Sequence, residues 1–477
     1  MIDTKTKKLF TNSIIFTIAN FSTKIFSLLM VVFYTYIFST ETYGKIDLIV
    51  TTITLCVPLV SFHIQEGIMR FSMDKNYDKR NVFSTTINIL NRNFIFLLAV
   101  CLFLILLFRM PIIFLLFLFV LFSQCYYNSI GQFIRGIGNV KVFAFGGVFS
   151  TVMLLLWNII LLLVFKLSII GYLLSLLLSY VFTIFYFILR GKLWNYYSPL
   201  LYDKLTASEM IHYCLPLIPN SIMWWIVNMS DRYMILILIG SAANGIYAVA
   251  NKIPSIVSII TNIFFQAWQI TVIEEHQSKD KEKYFSNIFN YFMEIIFIIN
   301  SIILLLGKPV ISILISSEFY DSWKYVPCLL FASIFSSFSS FLGAYYAMSK
   351  KTIGAMLSTI VAAIVNIVLN LILIPTIGIN GAAIATMVSM LLLWIIRIFD
   401  TKKFVNMTYN LKGIGQILIL QFIQLLLYYN TTIVGYIGQF ICLILLLYCC
   451  RKNFGEIKKI INMLNKKHIK KQTNTAE

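Results

Sequence analysis

Asp231 and Arg232 sit inside the apolar run HYCLPLIPNSIMWWIVNMSDRYMILILIG, and Asn251 and Lys252 inside IYAVANKIPSIVSIITNIFFQAWQITVIEE, with a SAANG turn between the runs. Each run exceeds the about 20 residues a helix needs to cross a bilayer. A charge within hydrocarbon costs about 3 kcal/mol or more, so such residues face a partner, a watery cavity or a substrate path. Arg232 lies 8 residues before Gly240 and Lys252 lies 7 after Gly245, which places both cations at similar depth on neighbouring antiparallel helices. Lys24 lies near the midpoint of the first apolar run, too deep to reach water easily by snorkelling. Cations gathered at depth suit an anion. Arginine grips a phosphate through two parallel hydrogen bonds, whereas lysine acts as a point charge. Asn228 is one helical turn before Arg232 and shares its face, and Asn251 adjoins Lys252. The plainer alternative is that Asp231 and Arg232 neutralise each other within the fold.

The elements that position these residues are membrane helices. Of the 477 residues, 59% are hydrophobic and 12% charged, with a mean hydropathy of +0.86. That excludes an ordinary soluble globular protein and predicts an all-α polytopic membrane protein. Windows of about 19 residues give fourteen spans. They include 11–38, 46–66, 86–108, 213–239 and 246–269, and the eleventh to fourteenth are 353–374, 381–399, 413–429 and 432–450. Lys5, Lys7 and Lys8 precede a first run too long for a signal-peptide core, so it reads as an anchor.

The net charge of +19 does not indicate nucleic acid, because the basic residues sit in short loops between spans. With the N-terminus inside, 30 lysines and arginines fall on inner segments and 5 on outer ones. This bias places both termini in the cytoplasm. The eight cysteines lie in or beside spans without zinc or disulfide spacing. Neither a metal-ligand cluster nor a nucleotide-binding loop is present, so an ion gradient (Na+ or H+) or a cargo gradient must drive any transport. Asp231, Glu294 and His63 are the titratable candidates within spans. Glu294 suits ion coupling or a structural partnership; His63 is a protonation site or a polar residue near the interface. Glu66 and Arg70, four residues apart, are spaced for an ion pair closing the cytoplasmic end. Pro58, Pro216, Pro219 and Pro254 fall where they would kink helices.

An internal repeat is visible. Gly146, Ser150, Thr151, Asn158 and Ile159 recur as Gly354, Ser358, Thr359, Asn366 and Ile367, at an offset of 208. After a two-residue insertion Gly171 corresponds to Gly381. The offset maps the fifth span onto the eleventh, so two six-helix copies point the same way, an arrangement transporters use around a site at the repeat interface. This predicts pseudo-symmetric lobes at 1–205 and 206–405, an added helix pair at 406–450 and a basic cytoplasmic tail at 451–477. In the tail Ile457, Ile460, Ile461 and Leu464 share one helical face among lysines, as in a helix lying on anionic lipid.

Several stretches resemble bacterial polysaccharide and O-antigen flippases of the multidrug/oligosaccharidyl-lipid/polysaccharide exporter superfamily. They are ETYGKIDLI (41–49), GIMRF (67–71), FIRGIGNVK (133–141), IPNSIMWWIVNMSDRYMI (218–235), GIYAVANKIPSI (245–256), FFQAWQ (264–269) and GINGAAIAT (378–386). The resemblance implies a V-shaped, two-lobed bundle in the bacterial cytoplasmic membrane that alternates access. Its cargo would be an undecaprenyl-pyrophosphate-linked oligosaccharide, with a polysaccharide polymerase and glycosyltransferases as partners. Lys24, Arg232 and Lys252 would then hold the anionic headgroup in a cavity that includes Asn251, and Asn228 would meet sugar hydroxyls. Trp224, Trp225 and Trp268 would line a sugar path or simply pack. Related drug exporters often carry a carboxylate in the first helix; Lys24 there counts against a cationic drug. The alternatives are a cation-coupled multidrug exporter and a polytopic polymerase or ligase, although the longest outer loop, 307–324, is short for a catalytic site.

Overall fold

In a bilayer the backbone has no water to bond, so each apolar run must satisfy its own N–H and C=O groups as helix. The computed structural model describes residues 22–24, 26–109, 111–199, 201–274, 280–349, 353–408 and 410–451, and no strand occurs among them. The chain opens with α1 (Ser22–Ile37), α2 (Thr40–Val60), α3 (Ile64–Met73), α4 (Lys79–Phe108) and α5 (Ile113–Gly136). It continues with α6 (Val140–Val164), α7 (Ile169–Gly191), α8 (Lys204–Cys214), α9 (Leu217–Leu238) and α10 (Ser241–Ala250). Next come α11 (Ser255–Glu274), α12 (Lys281–Leu314), α13 (Val326–Met348), α14 (Ile353–Ile377), α15 (Ile379–Thr401) and α16 (Leu411–Tyr428). The last is α17 (Ile433–Arg451).

Eleven of the described helices are long and apolar enough to cross a membrane, counting α8–α9 as one. The interrupted α10–α11 pair supplies a twelfth, and α1 and α16 are shorter apolar helices. Each of the fourteen expected runs therefore has a described helix. The all-α polytopic class is the observed one, while the expected basic tail helix and Lys5, Lys7 and Lys8 lie outside the described residues.

Boundaries shift where local chemistry outweighs hydropathy. Asp78 caps α4, accepting from the Arg80 N–H at 3.1 Å, so that helix starts at Lys79 rather than 86. The expected continuous span 246–269 is broken at 251–254, because Pro254 lacks the N–H the helix needs. A break also follows α2, where Phe62 and His63 take left-handed backbone angles, φ 52° and 56°. Conversely, Pro375, expected at a junction, lies inside α14. Lys308, counted as an outer loop residue, lies inside α12, with its ammonium 4.0 Å above the Trp323 ring. Arg397, counted as an inner loop residue, is buried within α15.

Two compact units result, Lys8–Ala248 and Val249–Glu477. In the first, α5 packs against α2, α3, α4 and α7, around a core that includes Ile53, Ile68, Val82, Val120, Phe133 and Phe187. In the second, α13 lies against α11, α12 and α15. Its core is aromatic, with the Trp268 and Phe341 rings stacked at 4.2 Å. There α16 is fastened to α12 by buried amides: Asn300 donates to Gln421 at 2.6 Å, and Ser301 donates to Gln424 at 2.7 Å. The sequence repeat has matching hairpins. Helices α6 and α7 have 25 and 23 residues, and α14 and α15 also have 25 and 23. Asn158 and Asn366 are both fully buried within them.

In the first unit, α2 and α10 cross at glycines. A Cβ on Gly44 would stand 1.9 Å from the Ser241 carbonyl oxygen, and one on Gly245 would stand 2.0 Å from that of Thr40. The Asn244 side chain donates to the Gly44 carbonyl at 3.0 Å across the same crossing. Either glycine replaced by alanine should therefore cost at least about 1–3 kcal/mol through overpacking, read as a lower melting temperature of purified protein. Gly415→Ala, where a Cβ meets nothing within 4 Å, should melt like the parent.

Candidate functional site

Arg232 and Asp231 are consecutive on α9, so their side chains leave the helix in different directions and cannot pair as i,i+4 neighbours do. The ion pair that Arg232 makes among the described residues is with a different carboxylate. Arg232, 7% exposed, donates from Nε to Oδ2 of Asp47 on α2 at 2.7 Å. Its Nη1 reaches the Asn228 carbonyl at 3.2 Å and the Met229 sulfur at 3.0 Å. Asp231, 2% exposed, accepts from the Tyr247 hydroxyl of α10 at 2.6 Å. Around this pair, Tyr233 bonds Thr52, and the Trp225 indole donates to the Thr51 carbonyl at 3.0 Å. The result is a polar seam joining α2, α9 and α10.

Asp47 was missed as a site residue. It stands at the edge of the apolar run 46–66, where a carboxylate reads as interfacial. The signal was the unpaired Arg232, which needed an anion from another helix once Asp231 was ruled out by its position. Tyr247, which lies within GIYAVANKIPSI, was missed because a tyrosine in an apolar run looks like packing.

Lys24 is exposed on α1 and borders a cavity of about 430 Å³. Its wall is rich in hydroxyls: Ser27, Tyr127, Ser150, Thr151, Ser179 and Tyr180. Arg232 is not among the lining residues, so Lys24 and Arg232 occupy separate places in the first unit. The repeat shows a difference at this place. In the second unit Ser358 and Thr359, counterparts of Ser150 and Thr151, accept from Arg397, Nε at 3.3 Å and Nη2 at 3.1 Å. The Arg397 Nη1 also donates to the Ser339 carbonyl at 2.8 Å. In the Gly171–Gly381 register Arg397 corresponds to Phe187, which cannot donate to hydroxyls. One copy of the repeat thus fills its hydroxyl pair with its own guanidinium, and the other leaves it facing a cavity.

Asn228 turns its amide to the Trp224 carbonyl of its own helix at 2.7 Å. Asn251 and Lys252 lie in the 251–254 interruption, in the second unit. Glu294 is buried on α12 of that unit. His63 ends the α2–α3 break, its Nε2 3.5 Å from the Ser221 hydroxyl and its buried Nδ1 without a hydrogen-bond partner. Glu66 and Arg70 are on α3, and they are not among the ion pairs of the described residues. Trp268 is packed, donating to the Phe341 carbonyl at 3.1 Å.

The Asp47–Arg232 pair should behave as a coupled unit. Arg232→Gln strands a carboxylate in a low-dielectric seam and should cost about 3 kcal/mol. Asp47→Asn with Arg232→Gln together should recover at least half of that loss in thermal melts, because no unpaired charge is left.

Comparisons with known proteins follow the same lines. Among curated proteins none matches the chain. A lipid II flippase, MurJ, in an inward closed conformation superposes with TM-score 0.67 at 14% identity, over 92% of this chain and 99% of that one. An inward-facing multidrug resistance MATE family transporter of the MOP superfamily gives TM-score 0.66 at 13% identity, over 81% of this chain and 98% of that one. The Vibrio cholerae MATE transporter VcmN, in a mutant form, gives 0.56 at 12% identity, over 83% and 96% of the two chains. At such identities these likenesses establish the fold. The "Polysaccharide biosynthesis protein" family matches residues 9–270, more than half of the chain and the whole of the α1–α10 region that carries Lys24, Asp47 and Arg232; the chain belongs to that family.

Proposed function

We propose that this protein is a flippase that carries undecaprenyl-pyrophosphate-linked oligosaccharide across the bacterial cytoplasmic membrane by alternating access, supplying surface polysaccharide synthesis. It is a transporter rather than an enzyme. The observation that supports this reading is a membrane bundle of a polysaccharide-biosynthesis family whose first unit holds a buried Arg232 and a Lys24 bordering a hydroxyl-lined cavity. In a low-dielectric setting each such cation attracts a phosphate more strongly than it would in water. Hydroxyls beside Lys24 suit the oxygen-rich sugar or phosphate parts of such a cargo. The six-helix repeats 1–205 and 206–405 are the moving halves, with 406–450 an added pair. Both termini are cytoplasmic in this reading, supported by the excess of basic residues on the inner segments, which persists without Arg397 and Lys308. Asp231, Glu294 and His63 are the candidates for coupling to a proton or sodium gradient, and polymerase and glycosyltransferases act on either side of the transport step.

Reconstitution into vesicles with labelled lipid-linked sugar tests the reading. Movement across the bilayer supports it; efflux of a cationic dye without sugar movement rejects it in favour of a drug exporter. Within that assay Lys24→Arg should retain transport and Lys24→Ala should slow it. Lys24→Glu should be the most severe, at least about tenfold below the parent, because a carboxylate repels the headgroup; tenfold corresponds to about 1.4 kcal/mol. Equal activity of all three would remove Lys24 from the cargo path.

A further inference from the structure

The ion pair of the first unit is incomplete in a specific way. An arginine that serves only to hold two helices together commonly meets its carboxylate with two parallel bonds. Arg232 meets Asp47 with one, from Nε at 2.7 Å. Of its terminal nitrogens, Nη1 has only its own helix, through the Asn228 carbonyl and the weakly accepting Met229 sulfur. Nη2 has no acceptor among the described residues. A guanidinium offers five N–H donors, so a substantial part of this one is unused. The adjacent carboxylate does not close the gap: Asp231 accepts from Tyr247 instead. Asp47 itself is not sealed, its side chain being 12% exposed against 8% for Arg232.

We propose that Asp47 is a resident stand-in for the cargo's anionic headgroup: it holds Arg232 until a phosphate-type anion displaces it, and so sets selectivity for pyrophosphate-linked over monophosphate-linked cargo. This deepens the flippase reading and rests on it. The physical basis is a competition for one guanidinium. A carboxylate already in place raises the threshold that any incoming anion must exceed. A pyrophosphate exceeds it with more negative charge and more acceptor oxygens, and it can take Nε–H and Nη2–H together, where Asp47 takes Nε–H alone. A monophosphate has less to offer against the same competitor, and an uncharged lipid nothing. Asp47 is thus a positioning residue: it touches Arg232, not the cargo. Departure of Asp47 also removes the ionic link between α2 and α9, leaving the Tyr233–Thr52 and Trp225–Thr51 bonds to hold the seam.

Binding of farnesyl pyrophosphate, farnesyl monophosphate and inorganic pyrophosphate to full-length protein in nanodiscs tests this by calorimetry, with melting curves confirming the fold of each variant. The parent should prefer farnesyl pyrophosphate. Asp47→Asn, which keeps an acceptor for Nε–H but removes the competing charge, should bind both farnesyl ligands more tightly. The gain should be larger for the monophosphate, about tenfold, so the preference narrows. Asp47→Glu should restore the parent's preference, and Arg232→Lys should lose it. If Asp47→Asn destabilises the protein, Asp47→Ser removes the same charge and should narrow the preference likewise. Affinities unchanged or weakened without the Asp47 carboxylate, with the preference intact, overturn the stand-in role while leaving the flippase reading in place. Inorganic pyrophosphate binding as tightly as farnesyl pyrophosphate overturns the assignment of the displacing anion to a lipid-linked cargo. A parent that binds no farnesyl ligand, yet exports a cationic dye, removes the flippase reading and this inference together.

Discussion

A guanidinium cannot be left alone in hydrocarbon, and much of the first unit follows from how Arg232 meets that constraint. The cost of an intramembrane charge, about 3 kcal/mol on insertion scales, requires an anion or water. Helix geometry denies it Asp231, the next residue in the chain. Its anion therefore comes from another helix, and Asp47 ties α2 to α9. Asp231 then needs a donor of its own and takes Tyr247 on α10. The third side of the seam, α2 against α10, closes at Gly44 and Gly245, where any side chain would strike backbone. Three helices are thus held by these bonds and this steric fit, together with Tyr233–Thr52, Trp225–Thr51 and Asn244–Gly44.

The repeat shows the same logic with a different outcome. Ser358 and Thr359 have been given a guanidinium by their own lobe, in Arg397. Their counterparts Ser150 and Thr151 have Phe187 at the corresponding place and an open cavity beside Lys24. The hydroxyl pair meets a guanidinium in one copy; in the other Thr151 bonds the Gly147 carbonyl at 3.0 Å and the pair borders the cavity. The two halves therefore share a hairpin scaffold while differing in what meets the hydroxyl pair.

The helices were legible because membrane spans announce themselves by composition, and each of the fourteen apolar runs holds a described helix, with modest shifts at Lys79, Pro254 and Pro375. Those shifts come from caps and prolines, which hydropathy windows do not weigh. Arg397 and Lys308 were misassigned to loops for a related reason. A basic residue near a span's end counts as cytoplasmic or external until packing shows it bonded to Ser339 or lying over Trp323. Lys24, Arg232 and Asp231 were found by asking which charges lie too deep. Their partners were not, since Asp47 and Tyr247 approach from other helices, and no periodicity encodes a contact across 185 residues. The depth of a charge is written in the chain; its counter-ion is written in the fold.

The central claim is that Asp47 holds Arg232 only until the cargo arrives. Cryo-electron microscopy of the protein in nanodiscs, with and without a lipid-linked pyrophosphate oligosaccharide, tests it most directly. The account predicts that the Nε–Oδ2 contact of 2.7 Å is present without cargo and broken with it, the guanidinium then facing the pyrophosphate and Asp47 standing apart. Density for bound cargo with Arg232 still on Asp47 would contradict it.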